Sequence, residues 1–228
     1  MLMDNAVALV RAYLHVNGYF TVTEYPILEA ARAGGYRTVT DLDVLAFRFP
    51  GAGRLVAGPR EAGTNEPHHF EPDPKLEVPA SHPDMIIGEV KEGRAELNES
   101  ALRPEVLEAA LARFGCCHEE QVPLVARDLL HLGTAAVHPG HKIRLVVFAA
   151  RGERVGHPDV RVISLGHVVR FLQEHLHEHW DVLRHAQVKD PAFGFLMTLR
   201  KALGSFDSAD SDGAYSGMGI PPTDHPFR

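Results

Sequence analysis

Residues 85 to 91 read Met-Ile-Ile-Gly-Glu-Val-Lys, an apolar strand pattern that carries a carboxylate and an ammonium two positions apart. Alternate residues of a strand project to the same face, so Glu89 and Lys91 stand side by side. Their neighbours Ile86, Ile87 and Val90 predict burial, and charges seldom enter a core without partners. A second β-like run, Thr40-Asp41-Leu42-Asp43-Val44-Leu45-Ala46-Phe47, places Asp43 in similar surroundings. Two strands that each carry an acid into a core suggest a metal site built from Asp43, Glu89 and Lys91.

The remaining periodicities set the frame around those strands. Ala6, Leu9, Val10, Tyr13 and Leu14 recur at helical spacing, which predicts a helix from Asp4 to Asn17 with Asp4 as its cap and Gly18 at its stop. Tyr19 to Ile27 reads as a strand in which Phe20, Val22 and Glu24 share a face, so Glu24 is expected to point inward. A turn at 32–35 leads to a strand over Val39–Phe49, closed by Pro50-Gly51. Residues 50–84 are crowded with Pro, Gly, Glu and His and read as a long mobile insertion. Helices are expected at Glu105–Phe114, Val122–Leu132, His167–His185 and Pro191–Leu203, and strands at Ile143–Ala149 and Val160–Ser164. Three successive strands imply antiparallel neighbours, while the strand-helix-strand crossover from 85 to 149 implies a parallel pair. The expected fold is therefore α/β, a central mixed β-sheet flanked by helices. A core over 1–150, with its insertion at 50–84, would carry a C-terminal strand and helices at 151–203. The Ser-, Asp-, Gly- and Pro-rich segment 204–228 is expected to be a disordered tail.

The order helix, strand, Asp-bearing strand, Glu-x-Lys strand, helix resembles the restriction-endonuclease-like superfamily, the PD-(D/E)xK nucleases. Its archaeal Holliday-junction resolvases carry a similar signature. The matching segments are Thr40-Asp41-Leu42-Asp43-Val44-Leu45-Ala46 and Ile86-Ile87-Gly88-Glu89-Val90-Lys91. The resemblance spans roughly residues 4–150 and leaves the C-terminal third outside, and Leu42 stands where the family pattern has proline before the key Asp. It implies a restriction-endonuclease-like core with a C-terminal helical extension and metal-dependent hydrolysis of phosphodiesters, in DNA. Asp43, Glu89 and the main-chain carbonyl of Val90 would hold Mg²⁺, with Mn²⁺ as a substitute, and Lys91 would orient or activate the attacking water. The chemistry has its own logic. A phosphodiester is an anion that repels nucleophiles, and a divalent ion neutralises it while acidifying bound water. Magnesium needs only one or two carboxylates, because it keeps several waters and takes substrate phosphate as a ligand. Glu24 and Asp41 are supporting candidates, the first for a second metal or a water, the second from behind Asp43. Asp84 reads as a turn residue in His82-Pro83-Asp84. The alternative is a noncatalytic member of the same fold that binds nucleic acid or a protein partner.

Other chemistries find little support. The chain has 15 histidines, but His175-Leu176-His177-Glu178-His179 lacks the His-Glu-x-x-His order of a metalloprotease, and a surface helix accounts for His175 and His179. Cys116-Cys117-His118 lacks zinc-knuckle spacing. No phosphate loop and no Gly-x-Ser-x-Gly elbow occurs. The net charge of −7 argues against indiscriminate high-affinity DNA binding. Nucleic-acid contacts would come from Arg37, Arg48, Arg94 and Arg103 beside the motif strands, and from Lys142, Arg144, Arg151 and Arg154 around the later strand. A homodimer is the other partner state allowed, through the apolar side of the 167–185 helix. No apolar run approaches the roughly 20 residues of a membrane helix, so no membrane partner is expected. The first residues lack the regions of a secretion signal, and adjacent cysteines do not make an ordinary disulfide, so a cytoplasmic setting is expected.

Overall fold

The structure, a computed structural model, describes residues 4–31, 34–53, 69–137, 140–152, 155, 157 and 160–211. In chain order the elements are α1 (Asn5–Val16), β1 (Phe20–Ala30), β2 (Tyr36–Arg48), β3 (Asp84–Arg94), α2 (Pro104–Phe114), α3 (Val122–Leu132), β4 (Thr134–Val137), β5 (His141–Arg151), β6 (Arg161–Ser164), α4 (Leu165–Glu178), α5 (Trp180–Leu183) and α6 (Pro191–Ser211). The fold is α/β with a mixed sheet in the order β1-β2-β3-β5-β4, and β6 also pairs with β5. β1, β2 and β3 are antiparallel neighbours. The crossover through α2 and α3 brings β5 parallel to β3. Along its other edge β5 takes β4 on its first half and β6 on its second.

Local chemistry fixes the element ends. The Asp4 carboxylate accepts from the amides of Ala6 at 2.7 Å and Val7 at 3.3 Å, starting α1. Helices α2 and α3 both stop at left-handed glycines, Gly115 and Gly133, where φ is 61° and 64°.

Each face of the sheet has its own core. Val106, Leu107, Ala110 and Leu111 of α2 and Val125, Ala126 and Leu129 of α3 cover Leu45, Met85, Ile87, Ile143, Leu145 and Val147. On the opposite face Val10, Tyr13 and Leu14 of α1 and Val168, Leu172 and Leu176 of α4 cover Val44, Ala46, Ile86, Val146 and Phe148. The 151–203 segment thus supplies a strand to the sheet and, through Val168, Leu172, Leu176, Phe193 and Met197, a large part of one core.

Several expectations change. The 167–185 helix is two, α4 and α5, broken at His179. Its apolar residues Val168, Leu172 and Leu176 are buried, so they offer no dimer surface; the exposed apolar residues of this region are Phe195, Leu199 and Leu203 on α6. A further strand, β4, has only four residues and is too short to display a period in the sequence. α6 runs to Ser211, so residues 204–211 are helical rather than disordered, and 212–228 lie outside the described residues. Within the insertion, 54–68 lie outside them too. Its later part is anchored: Leu76 is fully buried, and Asp73 accepts from Tyr13 Oη at 2.7 Å and from the Lys75 amide at 2.8 Å. Asp84 is not a turn residue but the first residue of β3, 1% exposed. No helix among the described residues is long and apolar enough to cross a membrane.

Candidate functional site

The β2–β3 ladder runs from Arg48 opposite Asp84 to Val44 opposite Gly88. One step further, Asp43 would face Glu89, and there a side chain replaces the main chain: the Val90 amide donates to Asp43 Oδ2 at 2.7 Å. The pleat is interrupted at the same point. Leu45 and Phe47 pack in the α2–α3 core and Val44 and Ala46 in the α1–α4 core, yet Leu42 belongs with the α2–α3 side again. The alternation therefore skips at Asp43, and neither apolar core claims its side chain. On the neighbouring strand Thr23 pairs with Val44 and Tyr25 with Leu42, which leaves Glu24 opposite Asp43. Glu24 has φ 52°, a left-handed conformation uncommon for a residue with a Cβ.

Gly88 permits the close approach of strands beside the acids. A Cβ there would lie 3.3 Å from Phe148 Cε2 and 3.4 Å from Val44 Cβ. Glu89 follows, 8% exposed, with Lys91 Nζ 2.6 Å from its Oε1 and the lysine side chain about one-third open to solvent.

The electrostatics show a site short of positive charge. Burial pushes the Asp43 carboxyl above its usual range, Val90 N–H and Lys91 pull it back in part, and Asp4 and Glu24 add to the rise. Burial likewise raises Glu89, opposed by its bond to Lys91 and reinforced by the charge of Asp43. For Lys91, burial works against the charged form, but the bond to Glu89 and the charges of Glu89, Asp43 and Glu96 outweigh it and its pKa is raised. The three side chains thus form one electrostatic unit.

Two hard oxygen donors whose ionised forms are penalised by burial and by each other are a donor set that a divalent cation would relieve. They are only two. Among the described residues no group of three or more His, Cys, Asp or Glu is placed to hold a metal ion. A cation at Asp43 and Glu89 would have to complete its shell with main-chain oxygen and water. What the structure attributes to Val90 is the amide donated to Asp43.

The supporting candidates fare differently. Glu24 is exposed rather than inward, and its Oε1 accepts from the Asp4 amide at 3.4 Å. It nevertheless lies close enough to raise Asp43. Asp41 is exposed opposite Pro26, and its side chain makes no bond among the described residues. It does not join the site. Asp4 does, as a charge felt by Asp43; sequence marks it only as a helix cap, because its nearness to Asp43 arises from packing.

Four of the nominated basic residues are engaged internally. Arg144 donates to both oxygens of Asp84, at 2.9 and 2.7 Å, and to Tyr19 Oη at 3.3 Å. Arg48 is buried and donates to the carbonyl of Asn17 at 2.9 Å and to that of Ala52. Arg37 pairs with Glu29, which Arg103 also approaches at 3.6 Å. Arg94 and Arg151 are exposed, and Arg154 lies outside the described residues. His175 is not on a surface helix face: it is buried, stacks on Phe171, lies 4.7 Å ring to ring from His179, and is held neutral down to about 4 by burial and by His179. Both cysteines are free, and burial pushes the Cys116 thiol up to about 12.

Two of the larger clefts lie elsewhere, and a third of about 430 Å³, lined by Ala95, Glu96, Leu97, Glu99 and Leu102, opens just beyond β3. One of about 600 Å³ is lined by Gln173, Leu176, Trp180, Leu196 and Arg200. Another of about 490 Å³ is lined by Phe20, Val22, Phe47, Met85 and Phe114. Glu89 borders a void of only about 20 Å³. The void at Glu89 is too small to enclose a small molecule. No protein-family model matches this chain, and neither a curated protein nor a solved structure matches it.

Proposed function

We propose that the protein is a metal-dependent nuclease built on a restriction-endonuclease-like core, hydrolysing phosphodiester bonds in DNA. The observation that carries the reading is the junction of Asp43 with the Glu89–Lys91 strand, where a ladder hydrogen bond is surrendered to a carboxylate. Asp43 and Glu89 would bind Mg²⁺ or Mn²⁺, and that ion would supply charge neutralisation and an acidified water. Lys91, held against Glu89 at 2.6 Å, keeps a fixed positive charge beside the place where phosphate oxygens gather negative charge, and can position the attacking water through its N–H donors. The order of elements and the mixed sheet agree with such a core.

The test is cleavage of linear, branched and single-stranded DNA by purified protein with Mg²⁺ or Mn²⁺. Wild-type activity that survives both Glu89→Gln and Lys91→Ala would reject the assignment. A second reading, a noncatalytic protein of the same fold, is favoured by the direct Lys91–Glu89 ion pair and by the want, among the described residues, of a third acidic or imidazole ligand. Calorimetric titration with Mn²⁺ separates the two. A catalytic site binds the ion and loses it in Asp43→Asn, whereas a degenerate one releases no heat in either protein.

A further inference from the structure

Beyond Lys91 the β3 strand does not keep its register. Lys91 pairs with Ala149, but the next pair is Arg94 with Arg151, so β3 has taken in one extra residue relative to β5. The insertion decides which way Arg94 faces. Glu89 pairs with Val147 and Lys91 with Ala149, and both partners belong to the α2–α3 core. Arg151 is the next residue of that alternation, and Arg94, as its cross-strand partner, shares its face. Without the extra residue, Arg94 would turn to the other side. The bulge thus aligns Glu89, Lys91 and Arg94 on one face of β3, with Arg151 alongside.

The pairing of two arginines is unfavourable by itself. Neighbouring strands lie about 4.8 Å apart, and like charges directly opposite destabilise a sheet. Both residues are exposed, and neither guanidinium makes an ion pair or hydrogen bond among the described residues. Their backbones are nonetheless held together, because the Ala95 amide donates to the Arg151 carbonyl at 2.8 Å. Two guanidinium groups on backbones held side by side, with no partner among the described residues, can receive an oxyanion, which arginine grips bidentately. Its distance from Lys91 is about two strand residues, roughly 6.6 Å, which sets it apart from the acid pair without leaving that face.

We infer that Lys91, Arg94 and Arg151 form a phosphate-binding track leading away from Asp43 and Glu89, and that its ligand is the sugar–phosphate backbone of a nucleic acid. The inference rests on the nuclease reading, since it places the flanking phosphates of that substrate. On a chain with net charge −7, the track would set local positive charge beyond the acids, with Glu96 the further carboxylate acting on Lys91.

The experiment is fluorescence anisotropy with a labelled DNA duplex, and with RNA of the same sequence, over a range of salt. For duplex DNA each phosphate contact adds about 0.9 to the slope of log affinity against log salt. Arg94→Gln and Arg151→Gln should each remove about 0.9 from the slope, and Arg94→Lys should keep it. Mn²⁺ binding should not change, and the thermal midpoint should hold or rise as the facing charges are relieved. A wild-type protein that binds either polymer while the double glutamine variant keeps the same slope overturns the track and leaves the nuclease reading intact. Variants that lose Mn²⁺ binding or melt early also overturn it, because the arginines would then be structural. A wild-type protein that binds neither polymer overturns both. Stronger loss on RNA than on DNA, or the reverse, identifies which backbone the track fits.

Discussion

At its first residue β3 holds Asp84, 1% exposed; five residues later it holds Glu89, 8% exposed. Both carboxylates leave water, yet the protein answers them differently. Asp84 receives both arms of Arg144 and the hydroxyl of Tyr19, so its lone pairs are met by charge-assisted bonds in a dry setting. The arrangement is closed: burial and the Asp84 charge push the Tyr19 phenol up and keep it a donor. Glu89 has one ammonium, which is partly open to solvent, and it shares that ammonium with a second carboxylate. The first end spends its charges on holding β3 to β5. The second end leaves two carboxylates sharing one ammonium, and both stay raised above their usual range.

Breaking the closed end should have the larger effect on stability. Arg144→Met strands a buried carboxylate and should cost about 3–5 kcal/mol in chemical denaturation. A loss near the ~1 kcal/mol of a surface pair would mean that Asp84 is not truly sealed. At the open end the effect should appear in chemistry instead. On the proposed nuclease reading, Glu89→Gln should reduce cleavage about 10²–10³-fold, about 2.7–4 kcal/mol, the scale of losing one preorganised electrostatic group. Its folding stability should be unchanged or higher, since the ionised glutamate is penalised where it sits. If Glu89→Gln unfolds the protein as readily as Arg144→Met, the contrast between the ends disappears.

A pH series of stability needs a third residue taken into account. Buried His175 titrates near 4 in the folded protein against 6.5 when free. The unfolded chain therefore takes up this proton first as pH falls. The contribution is fully present above 6.5 and is lost on descent through about 4, with a slope of at most about 1.4 kcal/mol per pH unit. Replacing the ring by phenylalanine in His175→Phe should flatten that window; an unchanged pH profile would place the sensitivity among the carboxylates. The smallest expected effect belongs to the strained neighbour of the open end. Glu24→Gly relieves a left-handed backbone and should stabilise by about 1 kcal/mol. Destabilisation would show instead that the Glu24 carboxylate, which accepts from the Asp4 amide, outweighs the strain.

Much of this was legible because it is local. Asp4 caps, Gly115 and Gly133 stop helices, and the alternation of Met85 to Lys91 is readable wherever a strand is half buried. The four residues of β4 and the break at His179 were not, because a short strand has no period and a broken helix keeps its apolar spacing. Asp84 and Glu89 look alike in sequence, each an acid on an apolar strand; only Arg144, 60 residues away, separates them. Asp41 and Asp43 likewise share an apparent face, and the skipped pleat sends one to Val90 and the other to solvent.

The chain alone dictated which segments coil and which extend, and that an acid and a base ride together on one strand, because periodicity and capping act within a few residues. Three-dimensional packing decided which charges are neutralised. Compensation depends on what lies across the ladder, and register, bulge and crossover bring those neighbours from far along the chain.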